Sequence, residues 1–215
     1  MDILLFGPPG AGKGTQAKLL TEELRAPQIA TGDMMRAERQ SGSELGKKFD
    51  EYMSAGKLVP DDLVIELIRK RLSQDDAKGG AIFDGFPRTV PQAEALDALL
   101  ASMGRQIDRV IALDVPLSAI VERVVGRRVC LDCGQTYHVS YNPPPSDGVC
   151  VSCKGKNIVQ RKDDTEEVVS TRFEQYEAMT QPVLAHYQAR GIVKVIDGVG
   201  ELEAVTARLR EALGR

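Results

Sequence analysis

The chain has 215 residues, of which 42% are hydrophobic and 27% charged, and its formal net charge is −3. This length suffices for one α/β domain with insertions, and the small negative charge predicts no bulk attraction to nucleic acid or an anionic membrane. No apolar run reaches the roughly 18 residues of a membrane span, and no signal-peptide pattern opens the chain. We therefore expect a cytoplasmic protein with no membrane or nucleic-acid partner.

A glycine-rich loop follows the first predicted strand. Residues 3–6 form a short apolar run typical of a buried parallel strand, and a helical apolar pattern begins after residue 15. Between them, glycines can turn backbone N–H groups toward phosphate oxygens, and Lys13 adds a full positive charge. The common pattern has Ser or Thr directly after the lysine, whereas here Gly14 intervenes and Thr15 carries the hydroxyl. The alternative is a turn that binds nothing, but the flanking strand and helix favour a phosphate-binding loop.

After a short candidate strand at residues 27–30, a long helical segment runs from Thr31 to Val59. Thr31 is predicted to cap its first helix, and breaks are predicted at residues 41–43 and at Gly56. A helical connection between parallel strands needs only about a dozen residues. Because this segment is far longer, we favour an inserted binding arm over a plain connection.

The next strand, residues 81–83, leads directly into polar residues. A helix that starts at Asp61 and ends at residues 79–80 precedes this strand. In a doubly wound sheet, ligands bind at the carboxyl ends of the strands, where Asp84 could hold Mg²⁺ through water. Arg88 offers a planar fork to a phosphate, although it could also be a solvated turn arginine. Thr89 is predicted to cap the helix that follows.

A further strand at residues 108–113 precedes a helix that begins near Pro116. We predict that this helix carries Arg123, Arg127 and Arg128, with the first two on one face at i and i+4. Like charges at this spacing are mildly destabilising unless an anion lies near them. The alternative is an ordinary solvent-exposed face.

The four cysteines form the pattern C-x₂-C-x₁₆-C-x₂-C, which is typical of a tetrahedral zinc site. Two disulfides or four incidental thiols are the alternatives, and disulfides are disfavoured in a cytoplasmic chain. Because protein sulfurs would fill every ligand position, we expect a structural metal. His138 is the rival ligand, but it lacks a paired spacing. The predicted ligands are Cys130, Cys133, Cys150 and Cys153.

The remaining elements complete a parallel five-stranded sheet with flanking helices. A long helix is predicted from Asp164 to about Ala189, with a kink at Pro182. Residues 192–196 form the last predicted strand, and an amphipathic helix follows it to the C-terminus.

The loop at residues 7–15 has the form GxPGxGKGT, and in this it resembles the nucleoside monophosphate kinases, above all the adenylate kinase family. Blocks similar to that family's recur in its order at residues 31–36, 56–60, 84–89, 126–128 and 161–164. The resemblance implies a P-loop NTPase-type fold with three parts. These are a core domain (1–29, 60–125 and 164–215), an NMP-binding insertion (30–59) and a lid with a zinc site (126–163).

The resemblance further implies reversible phosphoryl transfer from Mg-ATP to AMP, giving two ADP, by a monomer that serves adenine nucleotide homeostasis. The implied catalytic residues are Lys13, Arg88, Arg123, Arg127, Arg161 and Arg172. The implied ATP contacts are Gly10, Ala11, Gly12, Lys13, Gly14, Thr15, Arg123, Arg127, Thr136, Tyr137 and Gly200. The implied AMP contacts are Thr31, Arg36, Lys57, Leu58, Val59, Gly85, Phe86, Pro87, Arg88, Gln92, Arg161 and Arg172.

Other functions remain open on the residues alone. A kinase for another monophosphate, or one that uses GTP as donor, would share the same loop and arginines. A nucleotide-binding switch or a metal-dependent interaction module is a different class. The second arginine set, Arg36 with Arg88, argues against a switch, because a switch needs no acceptor-phosphate site.

Overall fold

The computed structural model describes residues 1–54, 59–161 and 163–215. The predicted AMP contacts Lys57 and Leu58, and the predicted helix break at Gly56, lie outside these ranges. Within them, every helix is too short or too polar to cross a lipid bilayer.

The described chain contains both strands and helices. The strands are β1 (Asp2–Phe6), β2 (Gln28–Ala30), β3 (Ala81–Asp84), β4 (Ile107–Asp114), β5 (Arg127–Cys130), β6 (Thr136–His138), β7 (Ile158–Val159) and β8 (Val193–Asp197). The α-helices are α1 (Lys13–Leu24), α2 (Thr31–Gln40), α3 (Glu44–Ser54), α4 (Asp61–Leu72), α5 (Val90–Ser102), α6 (Leu117–Val125), α7 (Glu166–Gln175), α8 (Pro182–Gln188) and α9 (Leu202–Ala212).

The central sheet is parallel and has the strand order β2-β3-β1-β4-β8, which confirms the predicted five-stranded sheet. Strand β1 lies in the middle and is buried along its whole length. Its register pairs Leu5 with Asp84 on β3. Because the carboxyl ends of β1 and β3 meet in this way, the glycine loop after β1 lies beside the turn after β3.

Helices cover both faces of this sheet. Leu4 and Phe6 of β1 pack in one cluster with residues of α4, α5 and α8, whereas Ile3 and Leu5 pack in another with residues of α1 and α9. Successive side chains of a strand point to opposite faces, so one short apolar strand serves two cores. The sheet is a rigid platform for the loops at its carboxyl edge.

Helices α2 and α3 form an arm between β2 and α4. Phe49 of α3 is fully buried and packs in a cluster with Leu63 and Leu67 of α4. Residues 41–43 separate the two helices, as the sequence predicts. The arm therefore has an apolar base of its own beside the sheet core.

Residues 126–163 contain a small antiparallel sheet with the order β6-β5-β7. The prediction that α6 continues through Arg127 and Arg128 is wrong, since α6 ends at Val125 and both arginines lie on β5. The cause is tertiary: the carbonyl of Gly126 accepts a hydrogen bond from the backbone N–H of Val139 at 3.0 Å. A Cβ at Gly126 would also lie 2.1 Å from His138 Nε2, so a side chain there would have to displace the imidazole.

Three other boundaries differ from the sequence predictions. Thr31 is the first residue of α2 and not its cap, and its hydroxyl instead donates to the carbonyl of Gly85 at 3.3 Å. Helix α4 ends at Leu72, and a 3₁₀ turn at Asp75–Ala77 leads to the glycines before β3. The long helix after residue 164 is divided, because a π-helical segment at Tyr176–Thr180 separates α7 from α8. By contrast, Thr89 caps α5 as predicted, accepting from the N–H of Gln92.

Candidate functional site

The glycine loop joins β1 to the N-terminus of α1 and keeps a left-handed backbone at several positions. Gly10 has φ +88°, and a Cβ there would lie 2.6 Å from Val124 Cγ2 and 2.8 Å from Ile120 Cγ2 of α6. The loop can therefore pack against α6 only as glycine. No side chain caps the start of α1, so its first amides are free to face an anion.

Lys13 lies at the centre of the loop. Its ammonium donates hydrogen bonds to the carbonyl oxygens of Gly7 at 2.7 Å and Pro8 at 2.8 Å. Burial lowers the pKa of Lys13 from 10.5 to about 8; the nearby charge of Asp84 opposes this, and that of Arg88 adds to it. The lysine is therefore a cation held in a desolvated position, where a phosphate would restore its charge.

Asp84 ends β3 beside the loop. Its Oδ2 accepts a hydrogen bond from Gln28 Nε2 at 2.9 Å, and a Cβ on Gly14 would lie 3.3 Å from the same oxygen. Burial raises the pKa of Asp84, and the charge of Lys13 opposes the rise. A mostly buried carboxylate against a phosphate loop is the oxygen ligand that Mg²⁺ prefers, directly or through water, so this donor fits the predicted cation. Thr15 is exposed on the first turn of α1.

Arg88 follows β3 on the turn that contains Gly85. Its Nε donates to the carbonyl of Gly85 at 2.9 Å, and its backbone N–H donates to Gln92 Oε1 at 2.7 Å. Burial and the charge of Arg172 lower the pKa of Arg88, while Asp84 opposes them. An arginine beside another arginine is stabilised by a bound anion.

The other predicted AMP contacts surround this turn or lie on the arm. Thr31 reaches Gly85 through its hydroxyl, Phe86 is buried, and the Phe86–Pro87 peptide is cis. Val59 packs against the clusters beneath the arm. Arg36 is half exposed on α2 and forms an ion pair with Asp33.

Gln92 is held by two contacts of its own. Its Oε1 accepts from the backbone of Arg88, and its Nε2 donates to Asp61 Oδ1 at 2.6 Å. Asp61 is a partner that the sequence reading missed, although its place at the start of α4 was recognised. A base reached by Gln92 would have to share or replace these hydrogen bonds.

Arg123 joins two loops at the carboxyl edge of the sheet. Its guanidinium donates to the carbonyl of Ala11 in the glycine loop at 3.3 Å and to that of Gly198 after β8 at 2.9 Å. Gly200 lies two residues further on with φ +117°. The structure therefore joins, through one arginine, the predicted phosphate loop and the segment that leads to Gly200, the predicted adenine contact.

Arg127, Arg161 and Arg172 lie near the ends of residues 126–163, the predicted lid, which we call the lid module. Arg127 forms a two-bond ion pair with Asp164, whose side chain is fully buried, with Nε to Oδ2 at 2.9 Å. Arg172 donates to Asp163 Oδ2 at 2.7 Å. Burial lowers the pKa of Arg161, and the charges of Arg127 and Arg36 lower it further.

Asp163 and Asp164, which were given no role from the sequence, pair with two of the predicted phosphate-binding arginines. Asp164 fixes Arg127, and its carbonyl accepts from Gln160 Nε2 at 3.0 Å. The same Gln160 amide donates to the carbonyl of Val125 at 3.1 Å, so it bridges the entry and exit of the lid module. The signal in the sequence was the acidic pair that follows two basic residues at 161–164.

The four cysteines meet at one point. Their sulfurs all lie within 4.8 Å of one another, which fits a tetrahedral four-thiolate metal site. The two knuckles are alike: Gly134 N–H donates to the carbonyl of Cys130 at 2.8 Å, and Lys154 N–H to that of Cys150 at 2.9 Å. His138 is not part of the cluster, and its Nε2 lies 3.2 Å from the carbonyl oxygen of Glu122.

Thr136 and Tyr137, the predicted ATP contacts of the lid module, lie on β6. The ring of Tyr137 is buried, and its hydroxyl donates to Cys150 Sγ at 3.2 Å. This hydrogen bond is the largest influence that lowers the pKa of Cys150, to about 6. Any contact of Tyr137 with a nucleotide must therefore come from its backbone and not from its ring.

Comparison with known proteins identifies the family of this chain. A family model described as "Adenylate kinase" matches residues 5–192. Curated proteins named "Adenylate kinase" include one from Desulforamulus reducens, 52% identical over 205 residues that cover 95% of this chain and 96% of the relative. Those from Desulforudis audaxviator and Moorella thermoacetica are 50% and 49% identical over 215 residues, covering 100% of this chain and 100% and 99% of the relatives. The chain belongs to the adenylate kinase family of nucleoside monophosphate kinases.

Proposed function

We propose that this phosphotransferase moves the terminal phosphoryl group of Mg-ATP to AMP, reversibly, giving two ADP. The observation that carries the assignment of sites is electrostatic. The charge of Arg88 lowers the pKa of Lys13, and the charge of Arg172 lowers the pKa of Arg88. The charges of Arg127 and Arg36 together lower the pKa of Arg161. Such a concentration of positive charge at the carboxyl edge of the sheet suits a highly charged anionic ligand.

On the donor side, the glycine loop and Lys13 would hold the ATP phosphates. Arg123 ties this loop to the segment after β8, where the backbone of Gly200 would meet the adenine. Thr136 and Tyr137 would contact ATP from the lid module through β6. Arg127 would reach the phosphates from the next strand, held in direction by Asp164.

On the acceptor side, the turn after β3 would hold AMP. Arg88 would bind its phosphate together with Arg36, Arg161 and Arg172, and Gln92 would read the base. Thr31, Gly85, Phe86 and Pro87 would shape this pocket, with Val59 and the arm as its outer wall. Closure of the arm (30–59) and of the lid (126–163) over the core would bring these residues together.

No general base is needed for this transfer, because the attacking phosphate oxygen of AMP is already anionic near neutral pH. The contacts of the chain's two histidines agree with a transfer that uses no histidine base. His138 lies against the carbonyl of Glu122, and His186 pairs with Asp97 at 2.8 Å. The residues described above would instead align the two phosphates, neutralise charge and exclude water.

Two metals fit the donor groups present. Asp84 would hold Mg²⁺, which supplies charge neutralisation at the ATP phosphates when bound. The four cysteines would hold a structural Zn²⁺, which stabilises the lid module and takes no part in the chemistry. We further propose that the protein acts as a monomer in the cytoplasm.

A coupled assay across nucleotides tests the proposed substrates. ATP is offered with AMP, GMP, CMP or UMP, then alone, and GTP is offered with AMP. We expect rapid transfer to AMP from ATP, slow transfer to the other monophosphates and little hydrolysis of ATP alone. Preferred transfer to a different monophosphate would reassign the acceptor, and equal rates with GTP would remove the donor preference.

A further inference from the structure

The second cysteine knuckle has a hydrogen-bond partner from outside the cysteine motifs. Tyr137 Oη lies 3.2 Å from Cys150 Sγ and donates to it, while the backbone N–H of Val151 donates to the same hydroxyl at 3.0 Å. The phenol is thus placed between a knuckle amide and a cysteine sulfur. Its hydrogen-bond capacity is used at the metal centre.

The ring of Tyr137 is fixed as firmly as its hydroxyl. It is 4% exposed and packs in a cluster with Cys130, Cys150 and Ile158. Its backbone belongs to β6, where Tyr137 pairs with Arg128 of β5. The side chain therefore links the strand pair that carries the proposed ATP contacts to the knuckle that carries Cys150.

The contacts of Cys130, in the first cysteine knuckle, differ from those of Cys150. Within this motif, Asp132 Oδ2 lies 3.9 Å from Cys130 Sγ, and an ionised carboxylate is an acceptor and not a donor. In the second knuckle, the other sulfur, Cys153 Sγ, accepts from the backbone N–H of Gly155 at 3.4 Å. The phenolic donor to Cys150 thus comes from β6 and not from the turn of a cysteine knuckle.

We propose that Tyr137 is a positioning residue of the metal centre, which orients Cys150 and draws electron density from its sulfur when the metal is bound. This inference rests on the proposed four-thiolate metal site. A hydrogen bond to a metal-bound sulfur draws electron density from that sulfur, but it also holds the sulfur in its ligand position. Loss of such an outer partner typically costs about 10–100-fold in metal affinity, so the orienting effect dominates retention of the metal. Tyr137 thereby couples metal retention to the β5–β6 pair.

The test uses the full-length chain loaded with Co²⁺ in place of Zn²⁺, because thiolate-to-cobalt charge transfer reports on sulfur donation directly. Tyr137→Phe keeps the ring and removes only the donor. We expect its charge-transfer band at longer wavelength, and about tenfold or faster transfer of Co²⁺ to a chelator. Tyr141→Phe is the matched control in the same module, since the hydroxyl of Tyr141 bonds to Glu122, and both readouts should stay at the parent values.

A second protein carries 3-fluorotyrosine at position 137, which keeps the ring and makes the hydroxyl a stronger donor. Its band should move to shorter wavelength, the opposite direction to Tyr137→Phe. A Tyr137→Phe protein with the parent band and the parent transfer rate would overturn the inference. If that variant bound no cobalt, an unshifted band in the fluorotyrosine protein would overturn it. Absence of a thiolate-to-cobalt band in the parent would instead show that the four cysteines do not form the proposed metal site.

Discussion

Lys13 shows how the loop prepares a cation for phosphate. The ammonium donates to the carbonyls of Gly7 and Pro8, and burial holds its pKa near 8. A phosphate would favour the charged form and raise this pKa again, so binding of ATP above pH 8 should take up a proton.

The association constant for ATP should therefore fall as the pH rises above about 8, by up to about tenfold per pH unit. The sign follows from linkage: the free site binds fewer protons than the complex, so raising the pH favours the free site. Titration calorimetry between about pH 7 and about pH 10 measures this slope. Lys13→Arg is the control, since a guanidinium stays charged there and should give a shallower slope; equal slopes would contradict the assignment.

Arg88 belongs to the acceptor side, because it leaves the end of β3 beside Gly85 and lies within electrostatic reach of Arg172. Arg88→Ala should raise the KM for AMP more than the KM for ATP. Turnover should fall by about 10²–10³-fold. Lys13→Ala is the contrasting variant, with its effect on the ATP side. Steady-state kinetics with each nucleotide varied separately measures both. A change confined to the ATP constant in Arg88→Ala would show that the arginines are divided wrongly.

Residues on the segments that leave the carboxyl ends of predicted strands were readily found from the sequence. Asp84 ends β3, and Lys13 and Arg88 lie on the segments that follow β1 and β3, which parallel topology brings together. The ring of Tyr137 and the carboxylate of Asp164 were not found in their observed roles. Their partners, Cys150 and Arg127, depend on which way a side chain points after the lid module has folded.

At the scale of elements, the glycine loop is held by helix α6. A Cβ on Gly10 would meet the side chains of Val124 and Ile120 within 2.8 Å, whereas one on Gly12 would meet nothing within 4 Å. Both glycines have positive φ, so alanine strains the backbone at either position. Comparison of alanine substitutions at Gly10 and Gly12 therefore separates the cost of overpacking against α6 from the cost of backbone strain.

Gly10→Ala should thus destabilise the chain by about 1–3 kcal/mol more than Gly12→Ala, because only the first substitution overpacks the contact with α6. Urea unfolding of the two variants and the parent gives this difference directly. Equal losses of unfolding free energy in the two variants would mean that α6 does not constrain the loop.

The end of α6 marks a limit of reading elements from sequence alone. Gly126, Arg127 and Arg128 are compatible with a continuing helix, and only one glycine suggests otherwise. The helix ends because Val139 donates to the carbonyl of Gly126 and His138 packs where a side chain would stand. That contact comes from a strand that forms only when the lid module folds, so local pattern could not reveal it.

Removal of the metal should loosen the lid module before the sheet domain. Metal binding in small zinc peptides is worth about 10–16 kcal/mol of folding free energy, and residues 126–163 have only a small apolar cluster of their own. We expect the melting temperature to drop by several degrees, since 1 kcal/mol corresponds to about 2–4 °C in a chain of this size. Part of the turnover should survive at low temperature, because no proposed phosphate-binding arginine is a metal ligand.

The experiment strips the metal with a thiol-competent chelator and follows both circular dichroism and turnover. Addition of Zn²⁺ afterwards is the control and should restore the parent melting curve. An unchanged melting temperature after verified removal would show that the metal is not structural. Complete loss of turnover with the lid still ordered would show that it is catalytic.

The whole molecule gathers cations from separate parts of the chain around one edge of the sheet. Lys13 comes from the glycine loop, Arg36 from the arm, Arg88 from the turn after β3, and Arg127 and Arg161 from the lid module. The charge of Arg88 lowers the pKa of Lys13, and the charges of Arg127 and Arg36 lower the pKa of Arg161. A site with separate donor and acceptor phosphates on either side of one transferred group accounts for this arrangement.

The most direct test of these two sites supplies Mg-ADP as the sole nucleotide and follows the reaction by ³¹P NMR. If one ADP occupies each site, the protein should convert ADP into equal amounts of ATP and AMP, with no inorganic phosphate. Lys13→Ala at the same concentration should leave the ADP unchanged over the same time. Release of inorganic phosphate, or stable ADP with the parent protein, would contradict phosphoryl transfer between two bound nucleotides.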